Sequence, residues 1–91
     1  MQSVDCSGFW AFLIGLHDVA AIKKHRKVLG ETIRSCRKAS GMSQERFGEK
    51  ADLHPKYVGE LERGEKAATI DTLVKVAKAL GIRPSELLRD L

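Results

Sequence analysis

Two short helical patterns separated by only three residues constrain the fold of this 91-residue chain more than any other feature. Ser43 offers a side-chain oxygen to cap the first pattern, which ends near Ala51. Pro55 suits the first position of the second helix, because the N–H that proline lacks has no partner there. Asp52, in the turn between them, is expected to adopt a left-handed backbone, which Asp tolerates at modest cost. The pattern predicts two short helices packed together across a tight turn.

The remainder of residues 28–91 is also helical in pattern, and no window alternates as a strand would. Gly41 closes a first helix with apolar residues at helical spacing, and Thr69 caps a fourth helix that Gly81 ends. The fourth helix is expected to bury a core stripe of Ile70, Leu73, Val74, Ala77 and Leu80. Pro84 opens a last short helix that carries Leu87, Leu88 and Leu91. These patterns predict an all-α domain of five short helices around one core.

Residues 1–27 differ from the rest and are taken as an amino-terminal extension. The apolar run Phe9–Leu16 is far shorter than the roughly 20 residues of a transmembrane helix, and its basic residues follow it, whereas a secretory signal has them in front. We expect an extra helix packed on the domain or across a dimer, or an ill-ordered leader. A membrane-surface anchor is a third interpretation, although such anchors prefer a strongly charged polar face.

Charge is concentrated in the second part of the chain. Residues 23–91 hold all sixteen Lys and Arg residues and ten of the twelve acidic ones, which gives this part a formal charge of +6. This balance favours an anionic partner such as nucleic acid or an anionic membrane surface. The two cysteines form no CxxC pair, and the three histidines are scattered, so we expect a reducing cytoplasm, no metal, no cofactor and no enzymatic activity.

The segments LGETIRSCRKASGMSQERFGEKADLHPKYVGELERG and IDTLVKVAKALGIRPSELL resemble the lambda-repressor-like family of Cro and phage repressors. The features that coincide at the family's spacing are the Arg37–Gly41–Ser43–Gln44 run, Phe47, Ala51, Leu61–Gly64 and the tail from Leu73 to Leu87. Asp52 departs from the family, which usually has Gly in this turn. The resemblance implies a compact five-helix DNA-binding domain over residues 28–91, preceded by the extension 1–27.

The resemblance also implies a function: a sequence-specific transcriptional regulator, a repressor or autoregulator, that acts as a homodimer on a two-fold-related operator in double-stranded DNA. We expect it in the cytoplasm, on the nucleoid, with no membrane partner. Small members of the family include restriction–modification controllers, antitoxins and phage or plasmid repressors, among which the sequence does not choose. The alternative is a protein-interaction module, or an antitoxin-like protein that binds a protein partner through the same fold.

The resemblance assigns roles to individual residues. The base-contacting positions on the second helix of the unit are Pro55, Lys56, Gly59 and Glu60. The phosphate-contacting candidates are Gln44, His54, Tyr57, Arg63 and Lys66. Arg37 and Glu62 form a structural ion pair, and Leu88 and Leu91 belong to a dimer surface.

Several of these side chains also have a plainer interpretation. Lys56 and Glu60 can be an ordinary solvated face, His54 a helix cap, and Tyr57 a packing residue. The basic run Lys23–Lys27 resembles the basic arm of some family members, or is a solvated charge run.

Overall fold

Five helices make up the part of the chain that the computed structural model describes, residues 19–91. No strand occurs in this range. The helices are α1 Val19–Ala39, α2 Gln44–Ala51, α3 Pro55–Glu62, α4 Ile70–Leu80 and α5 Pro84–Leu87. The all-α class with five helices is therefore confirmed.

Side-chain caps and glycines fix where the helices begin and end. The Ser43 hydroxyl accepts a hydrogen bond from the Arg46 N–H at the start of α2, and the Thr69 hydroxyl accepts one from the Thr72 N–H at the start of α4. Gly81 ends α4 with a left-handed backbone at φ 74°. Each cap satisfies one of the N–H groups that a helix end leaves without a partner. The caps expected at Ser43, Thr69 and Gly81 are confirmed.

The turn between α2 and α3 is tight because Asp52 has a left-handed backbone and Gly48 has no side chain. Asp52 has φ 60° and ψ 45°, the left-handed conformation that the sequence predicts. The Leu53 N–H donates to the Gly48 carbonyl at 2.8 Å, and a Cβ on Gly48 would lie only 2.6 Å from the Leu53 carbonyl oxygen. The absence of a side chain at Gly48 thus allows α2 to meet the turn.

We expect Asp52→Gly to stabilise the protein by up to about 1 kcal/mol. The left-handed conformation costs an L-residue roughly 1–2 kcal/mol, and the greater freedom of glycine in the unfolded chain offsets roughly 0.4–1 kcal/mol of that gain. The Asp52 side chain is 92% exposed and lies 3.7 Å from Lys75, so this ion pair contributes little. Thermal unfolding measures the effect, with Asp52→Asn as the control that removes only the charge. A lower melting temperature for Asp52→Gly would contradict the strain at this position.

The core lies where all five helices meet. Each helix contributes one of the largest fully buried side chains, which are Phe47, Ile33, Leu87, Val58 and Val76. Met42, Leu53 and Leu73 pack against this cluster from its edge. Phe47 of α2 and Val58 of α3 are both in it, as expected for the two short helices.

The stripe expected on α4 is wrong in two of its members. Ile70 is 74% exposed and Val74 is also exposed, whereas Thr72, Val76 and Ala79 are buried at the i, i+4, i+7 spacing of one face. The Thr72 hydroxyl pairs with that of Thr69 at 3.1 Å, so its burial leaves no polar atom unpaired. The prediction followed the spacing of the apolar residues, so it did not place the polar Thr72 in the buried face of α4.

The first and last helices also depart from the sequence pattern. Helix α1 begins at Val19, nine residues before the expected start at Val28, and so runs through residues 27 and 28 and includes the basic run Lys23–Lys27. Helix α5 ends at Leu87, so Leu88 and Leu91 follow it and are exposed. The apolar run Phe9–Leu16 lies outside the described residues.

Within residues 19–91, no helix is long and apolar enough to cross a membrane. The same part of the chain contains no group of three or more His, Cys, Asp or Glu side chains placed to hold a metal ion.

Candidate nucleic-acid interface

A buried ion pair locks α1 to the end of α3. Arg37 Nε donates to Glu62 Oε2 at 2.6 Å and Arg37 Nη2 donates to Glu62 Oε1 at 3.1 Å. The third guanidinium nitrogen of Arg37 donates to the Met42 carbonyl at 2.8 Å. The Glu62 side chain is only 3% exposed, so both charges depend on this geometry for their compensation. The structure thus places Arg37 and Glu62, the residues expected to form a structural ion pair, in direct contact.

The same carboxylate also receives the side chain that begins α2. Gln44 Nε2 donates to Glu62 Oε1 at 3.0 Å, which links the first residue of α2 to the last residue of α3. This amide was expected to hold a phosphate. Its Nε2 is instead engaged within the protein, while the backbone at the start of α2 is capped by Ser43.

Backbone approaches at two glycines hold α1 close against α3 and the loop that follows it. A Cβ on Gly30 of α1 would lie 2.3 Å from the Leu61 carbonyl oxygen and 2.6 Å from that of Glu62. A Cβ on Gly64 would lie 2.9 Å from Lys27 Cα. Separations below 3.0 Å exclude any larger residue unless the backbone shifts, so these contacts set the position of α1 on the end of α3.

The exposed face of α3 carries the residues assigned to base contact. Lys56 is exposed, and Pro55 and Glu60 are half-buried. Gly59 is buried instead: the position of its missing Cβ is 3.2 Å from Arg63 Nη1 and 3.5 Å from Gln44 Oε1. The side chains of Gln44 and Arg63 therefore cover Gly59, and they occupy the space above this turn of α3.

His54 and Tyr57 both have a structural role. His54 Nδ1 accepts a hydrogen bond from the Lys56 N–H at 3.0 Å and caps α3, which is the plainer of its two interpretations. The half-buried Tyr57 donates its hydroxyl to the Ala67 carbonyl at 3.1 Å and lies 3.5 Å from the Thr72 hydroxyl. Tyr57 thereby ties the loop after α3 to α4.

Two basic side chains follow α3 on the surface. Arg63 forms two hydrogen bonds to Glu65, at 2.9 and 3.2 Å, and both side chains are more than half exposed. These hydrogen bonds lower the pKa of Glu65 and raise that of Arg63, so both groups stay charged. Lys66 is exposed close by. The end of α3 thus presents basic groups to solvent, with one of them oriented by Glu65.

A shallow cavity of about 490 Å³ opens between the amino-terminal ends of α2 and α3. Its lining includes Ser43, Gln44 and Lys56, together with Arg37 from α1 and the opposing carboxylate of Glu45. Helix amino termini and cations both attract anions. The start of α2 and the exposed lysine of α3 therefore face the same space, where a phosphate group can approach both.

Sequence reasoning missed several of these contacts. Neither the hydrogen bond from Gln44 to Glu62 nor the approach of α1 at Gly30 and Gly64 was expected. Gly30 lies in the middle of a helical pattern, where glycine is unfavourable, and this was the signal that could have indicated a close helix contact.

The comparisons with known proteins agree with this geometry. The helix-turn-helix family HTH_3 matches residues 33–87. The control protein C.BamHI of Bacillus amyloliquefaciens is 39% identical over 64 residues, which are 69% of this chain and 79% of that protein. The control protein C.SmaI of Serratia marcescens is 40% identical over 63 residues, or 69% and 75% of the two chains.

Among solved structures, the restriction-modification controller protein C.AhdI from Aeromonas hydrophila superimposes with a TM-score of 0.67 and 37% sequence identity. The match covers 68% of this chain and 94% of that one. Other relatives are an HTH-type transcriptional regulator of Sinorhizobium fredii, 33% identical over 63 residues, and an immunity repressor of Bacillus phage phi105, 35% identical over 60 residues. The matched segment contains both helices of the α2–α3 unit. The chain therefore belongs to the HTH_3 helix-turn-helix family and is a DNA-binding transcriptional regulator.

Proposed function

We propose that this protein is a sequence-specific, operator-binding homodimer of the restriction–modification controller class. The observation that carries the proposal is the exposed face of α3, which lies beside the amino terminus of α2 and is held by the buried pair of Arg37 and Glu62. The similarity to C.BamHI, C.SmaI and C.AhdI favours a controller over an antitoxin or a phage repressor. The protein acts in the cytoplasm, without a cofactor and without catalysis.

In this proposal α3 enters the major groove of the duplex. Lys56 donates to guanine O6 and N7, and Glu60 accepts from cytosine N4. Pro55 brings no hydrogen-bonding side chain, so it allows the backbone at the start of α3 to approach the bases closely, whereas the buried Gly59 does not itself face the duplex. The covered position of Gly59 places Gln44 and Arg63 between this turn and the duplex.

Phosphates on either side of the groove are bound by the groups that flank α3. The start of α2 at Gln44 offers its backbone N–H groups and the helix dipole, while Arg63 and Lys66 offer charge at the other end. His54 and Tyr57 support these contacts from within the protein, since His54 caps α3 and Tyr57 anchors the loop that carries Lys66.

Two copies associate through the apolar surface at the carboxyl end of the chain. Leu88 and Leu91 are exposed there, and Ile70 and Val74 expose further apolar area on α4. Apolar side chains in such a number on one small domain favour burial against a second copy. A two-fold dimer places two α3 helices about one helical turn of DNA apart.

Salt dependence separates this proposal from the alternative of a protein-interaction module. The sparse hydrogen-bonding chemistry of Pro55 and Gly59 is the observation that favours the alternative. A DNA-binding protein loses duplex affinity steeply as salt rises, with a slope that follows the number of phosphates it contacts. No duplex affinity at low salt, together with salt-insensitive binding of a protein partner, would contradict the proposal.

We expect Lys56→Ala to lower affinity for the preferred duplex by about 1–3 kcal/mol per half-site and to relax specificity at one base pair of each half-site, because a base contact is lost there. Fluorescence anisotropy with the preferred duplex and its single-base variants measures both effects. Lys78→Ala, which removes an equal charge from an exposed position on α4, is the matched control. An equal loss of affinity on every duplex would instead make Lys56 a phosphate contact.

A further inference from the structure

The amino-terminal part of α1 concentrates positive charge ahead of its first carboxylate, Glu31, which lies one turn after Lys27. Lys23, Lys24, Arg26 and Lys27 lie within two turns, and the helix has no acidic residue before Glu31. Like charges three or four residues apart destabilise a helix by about 0.2–0.5 kcal/mol per pair. Among the ion pairs of residues 19–91, none includes any of these four cations. This end of α1 carries an electrostatic cost that a bound polyanion would remove.

The four cations do not share one face of the helix. Successive residues are rotated by about 100°, so Lys23 lies about 20° and Arg26 about 40° around the axis from Gly30. Lys27 lies about 60° from Gly30, whereas Lys24 lies about 120° away. Gly30 is the residue that contacts the end of α3. Three of the four cations therefore lie on the side of α1 that faces α3, and Lys24 does not.

This face continues the basic surface at the end of α3. The loop after α3 touches α1 where a Cβ on Gly64 would lie 2.9 Å from Lys27 Cα and 3.3 Å from the Arg26 carbonyl carbon. Gly64 lies between Arg63 and Glu65, whose side chains pair with each other, and Lys66 follows them. Side chains of α1 and of this loop thus form one surface that extends beyond α3, in which the cations outnumber the single carboxylate of Glu65.

We infer that Lys23, Arg26 and Lys27 bind phosphates of the DNA duplex outside the half-site that α3 reads. The inference rests on the proposed function and extends its footprint. Lys23 lies seven residues from Gly30, which is about 10 Å along the helix axis. Three base pairs of duplex span a similar length, at about 3.4 Å each, so these cations can meet phosphates outside those that the groups flanking α3 contact. A duplex is the partner because the surface is continuous with the end of α3.

The test compares Lys23→Gln with Lys24→Gln, two neighbouring substitutions that remove the same charge from different faces of one helix. Affinity of the full chain is measured between 50 and 200 mM salt for an operator duplex recovered from a random pool. Each substitution removes one phosphate contact in each half-site, so we expect Lys23→Gln to reduce the slope of log affinity against log salt by about 2, and Lys24→Gln to leave it unchanged. For Lys23→Gln/Lys27→Gln we expect a reduction of about 4, so that its affinity deficit shrinks by roughly two orders of magnitude over this range. Thermal unfolding of each variant checks that the fold is retained.

A second set of duplexes tests where the phosphates lie. Removing about five base pairs of flank outside each half-site is expected to weaken the wild type but not Lys23→Gln/Lys27→Gln, and changing the flank sequence at constant length is expected to have no effect. The inference would be overturned if Lys23→Gln and Lys24→Gln had equal slopes of log affinity against log salt, or if the affinity of the wild type did not depend on flank length. Either result would leave the proposed operator binding intact.

Two further outcomes are distinct from these. No duplex binding by the wild type at low salt would overturn both the inference and the proposed function. If Lys23→Gln/Lys27→Gln retains the flank dependence but loses binding to phosphatidylglycerol vesicles that the wild type shows, the surface binds lipid and the inference is wrong.

Discussion

Glu62→Ala is expected to destabilise the protein by about 3–5 kcal/mol, because it leaves the Arg37 guanidinium buried without its counter-charge. The same change removes the acceptor of the Gln44 amide. Total stabilities of domains are typically about 5–15 kcal/mol, so this loss is a large fraction of the whole. The melting temperature should fall by roughly 12–40 °C, which thermal or urea unfolding can measure.

Glu65→Ala is the matched control for this experiment. It breaks a second arginine–carboxylate pair of similar length, but one in which both side chains are more than half exposed to solvent. Pairs of that kind contribute only about 0–1 kcal/mol. A double change of Arg37→Met with Glu62→Leu is expected to recover most of the stability, since an apolar pair of similar volume avoids the unpaired charge. Similar losses for Glu62→Ala and Glu65→Ala would contradict the role assigned to the buried pair.

Gly30→Ala and Gly59→Ala are expected to change stability in opposite directions, although both replace a buried glycine inside a helix. At Gly30 the new methyl group meets two backbone carbonyl oxygens at 2.3 and 2.6 Å, so α1 must move away from α3. Such overpacking costs roughly 1–3 kcal/mol or more, which exceeds the roughly 1 kcal/mol that alanine gains in helix propensity.

At Gly59 the new methyl group meets only the flexible ends of Arg63 and Gln44, at 3.2 Å and beyond. These side chains can shift, so the gain in helix propensity prevails and Gly59→Ala should be stabilising by up to about 1 kcal/mol. Urea unfolding of the two variants beside the wild type measures the contrast. Equal stability of the two variants would show that the close contact of α1 with α3 does not exclude a side chain at Gly30.

Local features of the fold could be predicted because their causes lie within a few residues. The caps at Ser43, Thr69 and Gly81 and the left-handed turn at Asp52 depend on a side-chain oxygen or a backbone preference in the segment itself. The pair of Arg37 and Glu62 spans 25 positions and came instead from the resemblance to a family, since no local pattern indicates it.

Features that depend on tertiary packing could not be predicted in the same way. The buried face of α4 was misassigned because Thr72, a polar residue, is buried with its hydroxyl paired, while Ile70 is exposed. The start of α1 was placed too late because residues 19–27 have no apolar stripe, although Ala, Lys and Arg are good helix formers. The contacts at Gly30 and Gly64 arise only once α1 lies against α3.

In the candidate site, too, local features could be predicted from the sequence, whereas features that depend on tertiary packing could not. The exposure of Lys56 on α3 follows from its position after Pro55, and the structure agrees with it. The hydrogen bond from Gln44 to Glu62, 18 positions apart, and the covering of Gly59 by Gln44 and Arg63 bring the start of α2 to the end of α3. These contacts change the expected surroundings of the exposed face of α3, because the Gln44 amide is already hydrogen-bonded within the protein in the absence of DNA.

Selection of bound duplexes from a random pool tests the central claim, that two α3 helices of a homodimer read one operator. The account predicts recovered sites with two-fold symmetry and half-sites about one helical turn, or 10–10.5 base pairs, apart from centre to centre. With Lys56→Ala, the preference at one symmetric pair of positions should relax while the spacing stays the same. Recovery of sites without symmetry, or of no enriched sequence, would contradict it.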